Sequence, residues 1–340
     1  MTAFSILDLV PITQGSNAAT ALVRTKNLAI SAEQWGYNRY WVAEHHNMPG
    51  IASSATAVVI GHIAGATQTI RVGSGGIMLP NHAPLMVAEQ FGTLATLFPN
   101  RIDLGLGRAP GTDGLTMQAL RRNLNGNVED FPRDVVELQH YLNPVQPGQR
   151  VSATPGAGTK VPLWILGSSL FGAQLAAMLG LPFAFASHFA PTYLTAALET
   201  YRSQFKPSET LQAPYVMLGF NLCAAESDAQ AQHLRSSSLQ SFVNLRRGAP
   251  GPLPPPIENF EAQLSAAEQQ MVKDIGRCST VGDLDTVTEG FQSFIEETSA
   301  DELMLVSSIF DPELRLRSYE IGALAMERLN ETRATPVARV

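Results

Sequence analysis

The chain predicts a (β/α)8 barrel, and three observations carry the prediction. Short apolar runs alternate with helical patterns, making eight strand–helix units in order. The strand segments are near-continuous in apolar residues, as parallel strands buried on both faces are. The length of 340 residues is large for one ordinary domain but suits such a barrel. A single domain over residues 1–340 is expected, an α/β TIM barrel with insertions after the fourth and seventh strands.

Each element has its own warrant. "FSILDLVP" (4–11) is the first strand, stopped by Pro11. Ala18, Leu22, Thr25, Ala29 and Ala32 recur every three or four residues and so share a helix face. Gly36 ends that helix. "RYWVAEH" is the second strand, and "SSATAVVIGHIAGAT" a helix with serine as its cap. "IRVGSGGIMLP" is the third strand, and Pro84 suits the first turn of "APLMVAEQFGTLATLF". "RIDLGLGRAPG" is the fourth strand. A polar connection follows, then the helix "FPRDVVELQHYL". "PLWILGSS", "PFAFASHF", "YVMLGFNLCA" and "ELMLVSSI" are the remaining strands. Their helices are "FGAQLAAMLG", "PTYLTAALETYRSQF", "DAQAQHLRSSSLQSFVNLRR" and "PELRLRSYEIGALAMERL".

Residues 247–282 break the rhythm. Four prolines in five residues, Pro252 to Pro256, rule out helix or central strand there. Such a connection is either a solvated insertion or a cover over the barrel mouth.

Composition narrows the function. The formal net charge is -7 and no basic run exceeds a pair, which argues against nucleic acid as a partner. Two cysteines, Cys223 and Cys278, make neither a disulfide framework nor a thiolate zinc site. No stretch has the apolar length of a membrane span, and the first residues lack a signal-peptide pattern. A soluble, cytoplasmic protein is expected.

Barrels of this type work at the C-terminal ends of their strands. The second strand brings Glu44, His45 and His46 there, and the third brings Ser74, Gly75 and Gly76, then Asn81 and His82. The fourth contributes Gly107 and Arg108, the fifth Ser168 and Ser169, the sixth Ser187 and His188. Asn221, Ser307 and Ser308 complete the set. Strand alternation puts His45 on the face of Trp41 and Ala43, and Glu44 and His46 on the other. Glu44 and His46 could chelate, but no H-x-H ends the first strand and no H-E-x-x-H occurs, so no metal is expected. "WILGSSLFGAQLAA" puts Gly-Ser-Ser before a helix, where free N–H groups and the dipole favour an anion. Arg108, Ser168, Ser169 and the amide of Gly172 make a candidate phosphate cradle.

These motifs together resemble the bacterial luciferase-like flavin monooxygenases. The matching pieces are "AEHHNMPG", "VGSGGIMLPNHAP", "RIDLGLGRAPG", "GSSLFGAQLAAMLGLPFAF" and "VGDLDTVTEGFQSFIEETSADELMLVS", spread over residues 4 to about 328. The resemblance implies reduced FMN, supplied by a separate flavin reductase, which reacts with O2 to a C4a-peroxyflavin that oxidises a small organic substrate. It places His45 on the catalytic histidine and Glu44 on the acidic residue before it. Arg108, Ser168 and Ser169 fall on phosphate contacts, and Gly75 and Gly76 on backbone against the flavin ring, joined by a cis peptide. His188 or Ser187 stands where a tryptophan is expected near the ring, which argues against light emission. Relatives that use deazaflavin F420 for hydride transfer, and relatives that bind flavin without catalysis, are the alternatives. A homodimer is expected, with a mobile lid near 247–278.

Overall fold

Eight parallel strands close into a barrel around a lumen filled by side chains from alternate positions. The structure is a computed structural model and describes residues 2–109, 114–120 and 128–334. The barrel strands are β1 (Ala3–Asp8), β2 (Arg39–Val42), β3 (Arg71–Met78), β4 (Ile102–Gly107), β5 (Leu163–Gly167), β6 (Phe183–Phe185), β7 (Val216–Ala224) and β9 (Glu302–Val306). β9 lies between β1 and β7, and pairing of β6 with β7 closes the ring. A further short strand, β8 (Ser279–Gly282), pairs with the far end of β7, Asn221–Ala224.

The helices are α1 (Ala18–Gln34), α2 (Thr56–Ala64), α3 (Pro84–Leu97), α4 (Gly114–Leu120), α5 (Phe131–Leu142), α6 (Leu170–Leu179), α7 (Leu194–Gln204), α8 (Asp228–Arg246), α9 (Ala266–Gly276), α10 (Leu284–Thr298) and α11 (Pro312–Ala334). The main core lies between barrel and helices, with Ile6, Tyr40, Val42, Val72, Leu104, Ile165, Leu218 and Phe220 facing outward.

Two expectations need correction. Serine does not cap α2: its N-cap is Ala55 with no side-chain bond, and the Ser53 hydroxyl donates to the Leu9 carbonyl instead. The seventh helix of the barrel is α10, not α8. Phe291 and Phe294 of α10 join the main core and stack with Phe4 and Phe220. The buried side chains of α8 go to two satellite clusters, with Ile309 and with Leu264 and Val272. Beyond the proline run, residues 247–282 contain regular structure. α9 is fixed by a capping box, Ser265 with Glu268, and β8 extends β7.

The proline segment is docked on the loops that follow β1 and β2. The Leu253 N–H donates to the Ile12 carbonyl at 2.8 Å and the Gln14 N–H to the Leu253 carbonyl at 2.9 Å. Leu253 is buried, and a Cβ on Gly50 would strike the Gly251 carbonyl. Proline cannot pair along both edges, so only Leu253 forms this bridge.

The lumen is layered, as inward residues of a barrel are. At the floor, Arg39 pairs with Asp103 at 2.6 Å and with Glu302 at 3.1 Å. Arg71 also pairs with Asp103, and Tyr215 and Ser5 donate to Glu302. Both carboxylates are fully buried, and such charges persist only when paired and hydrogen-bonded. Above the floor lie Leu7, Trp41, Trp164, Met217 and Met304, with Trp41 and Trp164 edge to face.

Candidate active site at the barrel mouth

Toward the mouth the inward positions mix small and branched residues. Ala43, Gly75, Gly105 and Gly219 succeed Trp41, Gly73, Asp103 and Met217, while Leu166 succeeds Trp164 on β5 and Val306 succeeds Met304 on β9. The β2–β4 wall thus carries no long inward side chain at this level, and Leu166 packs against Gly76 and Gly105. At Gly75 and its neighbour Gly76 even a methyl group meets the wall. A Cβ on Gly75 would lie 2.6 Å from Leu7 Cδ1, and one on the neighbouring Gly76 2.7 Å from the Gly105 carbonyl oxygen. The Gly75–Gly76 peptide is cis.

On one side of the mouth Glu44 gathers the histidines. Its Oε1 lies 2.8 Å from His46 Nε2 and 2.9 Å from His82 Nε2, and Oε2 accepts from the Met78 N–H at 3.1 Å. Burial of this side chain raises its pKa, but His82, His46 and the Met78 amide outweigh burial and hold it below the ordinary carboxylate value. His82 was one of the third-strand candidates; the structure joins it to Glu44 and His46, on the face opposite His45. The three donor atoms lie within 4.8 Å of one another, close enough to share a metal ion.

On the other side, β4 ends at Arg108 and β5 at the Gly-Ser-Ser turn. The Arg108 guanidinium lies over the Phe171 ring, 4.1 Å from its centroid, and pairs with no carboxylate among the described residues. Ser169 is the N-cap of α6 with extended backbone, yet its side chain makes no capping bond. The Ser168 and Ser169 hydroxyls both lack partners among the described residues. Gly172 and Gly167 approach so closely that a Cβ on Gly167 would lie 3.4 Å from the Gly172 Cα. A free guanidinium, two free hydroxyls and unbonded helix-terminal N–H groups thus converge.

His188 follows β6 and leans over Gly219, where any Cβ would run into its ring. Its Nδ1 is buried without a partner, and burial pushes the imidazole down to about 4. His45 is half-buried at the end of β2.

Four further candidates are structural. Ser74 donates to the Gly105 carbonyl at 2.9 Å and Ser187 to the Gly219 carbonyl at 2.6 Å. Asn221 donates to the His188 carbonyl at 2.7 Å, and the Ser307 N–H donates to the Tyr319 hydroxyl at 2.8 Å. A cavity of about 190 Å³ near Pro11, Arg24, Phe310 and Arg315 contains none of the candidate residues.

A parallel eight-stranded barrel with its convergent polar groups at the strand C-termini is the frame of a (β/α)8-barrel enzyme. The chain belongs to the luciferase-like monooxygenase family, whose pattern matches residues 2–302. It is 55% identical over 327 residues to a luciferase-like monooxygenase of Escherichia coli (strain K12), covering 96% of this chain and 98% of that one. It is 42% identical over 190 residues to an N-acetyl-S-alkylcysteine monooxygenase of Bacillus subtilis (strain 168), covering 55% of this chain and 57% of that one. Among solved structures, apo-MsnO8 superposes with a TM-score of 0.86 at 34% identity, over 96% of this chain and 99% of that one. Among the described residues, no helix is long and apolar enough to cross a membrane.

Proposed function

We propose that this protein is a flavin-dependent monooxygenase that binds FMN in the barrel mouth and oxidises a small organic substrate with O2. The observation that carries the reading is the Arg108 guanidinium held on Phe171 in the first turn of α6, beside a helix terminus whose N-cap, Ser169, makes no capping bond. A guanidinium held on a ring rather than on a carboxylate, beside the positive end of a helix, is offset by an anion. The residues present fit FMN. Arg108, the two serines and the Gly172 amide would hold its phosphate, and the backbone of Gly75 and Gly76 would lie along its ring.

Bound reduced flavin supplies the activation of O2. The chain's residues supply the rest. His45, at the end of β2, holds or moves a proton. Glu44 fixes His46 and His82, so the wall beside His45 keeps its shape. The docked segment 247–265 shields the mouth from water, and 247–278 acts as a mobile lid. The flavin arrives reduced from a separate reductase, and the protein works as a cytoplasmic homodimer.

Titration with FMN, riboflavin and F420, followed by oxygen uptake with reduced FMN, tests the reading. Tighter binding of FMN than of riboflavin, with oxygen consumption, is the expected result. Preference for F420 without oxygen uptake would select the hydride-transfer alternative. Flavin binding without turnover would select a non-catalytic role.

A further inference from the structure

Glu44, His46 and His82 bring three ligand atoms together beside the barrel mouth. The sequence offers Glu44 and His46 as a chelating pair; the loop after β3 adds a third member. Glu44 is buried, and the Met78 N–H holds its Oε2 at 3.1 Å, so Oε1 is the oxygen turned to the histidines. His82 stands just past the buried turn Leu79–Asn81, and its own N–H donates to the Leu79 carbonyl at 2.9 Å. Both rings aim Nε2 at Oε1, from 2.8 and 2.9 Å. Among the described residues, no other group of three histidine, cysteine or carboxylate ligands is gathered in this way.

The donor set selects a cation class. A neutral imidazole carries one N–H and one lone pair. With the hydrogens on Nε2, both rings donate to Oε1. With them on Nδ1, two lone pairs and a carboxylate oxygen face one another, which is stable only with a cation between them. Two imidazole nitrogens and one carboxylate oxygen suit Zn²⁺ and its transition-metal neighbours, whereas Mg²⁺ and Ca²⁺ take oxygen ligands. Tetrahedral bonds of about 2.0–2.2 Å set ligand atoms about 3.3 Å apart. The two Oε1–Nε2 distances therefore need to open by only about 0.5 Å to admit the ion. The side chains of His46 and His82 are 14% and 28% exposed, so an ion has a way in and an open side for a fourth ligand.

We infer that Glu44, His46 and His82 form a binding site for one transition-metal ion of the Zn²⁺ class, which takes the place of the two Nε2 hydrogens. Bound there, the ion ties the end of β2 to the loop after β3 more firmly than the hydrogen bonds do. It sits on the face opposite His45 and uses no residue of the proposed phosphate cradle. The inference therefore does not depend on the proposed cofactor or reaction.

Metal titration of the full-length, flavin-free protein tests it. Chelator-treated wild type, His46→Ala, His82→Ala and His62→Ala are titrated with Zn²⁺ and with Mg²⁺ by calorimetry, with circular dichroism confirming the fold. Because Glu44 is buried, the two partly exposed histidines carry the test. Wild type is expected to take up one Zn²⁺ per chain and no Mg²⁺, and its thermal midpoint should rise with Zn²⁺, since the ion binds the folded chain. His46→Ala and His82→Ala should each lose at least about 10-fold in Zn²⁺ affinity, the least that removing even an outer partner of a metal ligand costs. His62→Ala, outside the triad, should bind as wild type does. Co²⁺ should give the visible absorption of a tetrahedral site in wild type and lose it in His82→Ala. Absence of Zn²⁺ uptake by wild type overturns the inference, as does uptake that survives in both His46→Ala and His82→Ala. Equal affinity for Mg²⁺ overturns the assigned metal class.

Discussion

The side chains of Glu44 and His82, 38 positions apart, meet at 2.9 Å beside the barrel mouth. One contact ties the end of β2 to the loop after β3, and His46 shares the same carboxylate oxygen at 2.8 Å. Glu44→Gln keeps the shape but loses the charge. A loss of about 2–4 kcal/mol is expected, from weakening of charge-assisted bonds in a buried site. The pH dependence has a definite sign. The folded pKa of Glu44 is depressed, so its stabilisation is full above the ordinary value of 4.5 and fades as pH falls through the lower folded value. Urea unfolding at pH 7 and pH 3.5 should show a smaller difference in the variant than in wild type. Parallel curves would refute the network.

His45→Ala and His46→Ala should part company. The first is expected to lower turnover about 10²–10⁴-fold while leaving stability nearly intact. The second removes a partner of Glu44 and should lower stability by about 1–3 kcal/mol. Oxygen uptake and thermal denaturation of both variants check this; the opposite pattern would move the catalytic role to His46.

Arg108→Ala should weaken FMN binding by about 1.5–3 kcal/mol, the loss of a charge-assisted bond. Fluorescence titration measures it. Unchanged affinity would remove Arg108 from the phosphate cradle.

Asp8 is the structural counterpart of these site residues. It accepts from the Val10 N–H at 2.8 Å and the Thr25 hydroxyl at 2.6 Å, and pairs with Arg315 at 2.9 Å. Asp8→Asn leaves a buried guanidinium short of its anion and should cost about 3–5 kcal/mol. Chemical denaturation reads this directly, and a loss below 1 kcal/mol would show that the pair is dispensable.

Trypsin should cut wild type at Arg246 or Arg247 more slowly with FMN bound than without. Arg246 is exposed and lies over the rings of Phe189 and Phe242, at 4.7 and 5.1 Å. Equal rates would mean that the segment does not respond to the ligand.

Most of the barrel was legible because its signals are local. Apolar runs, Pro84 and Gly36 act where they stand. The seventh helix was misplaced because α8 and α10 both follow β7, and periodicity does not say which one rests on the barrel. That choice is made by Phe291 meeting Phe4, a contact across nearly the whole chain, and by Phe294 meeting Phe220. The site divided in the same way. Glu44, Arg108, Ser169 and His188 could be named from their places at strand ends. The role of His82 could not, since its link to Glu44 depends on how the loop after β3 folds back. The role of Gly219 was hidden too: a glycine within a strand gives no sign of which side chain needs its space.

The ring beneath Arg108 has a kinetic consequence. Three arginines of the barrel are neutralised by carboxylates: Arg39 and Arg71 by Asp103, Arg315 by Asp8. Phe171 holds Arg108 in position without cancelling its charge. A protein with net charge -7 thus presents a local positive field at its mouth, working against the repulsion an anion meets elsewhere. Such a field draws a phosphorylated ligand over roughly one Debye length, about 8 Å at physiological salt. Capture of FMN should slow as salt is added, while capture of riboflavin should not.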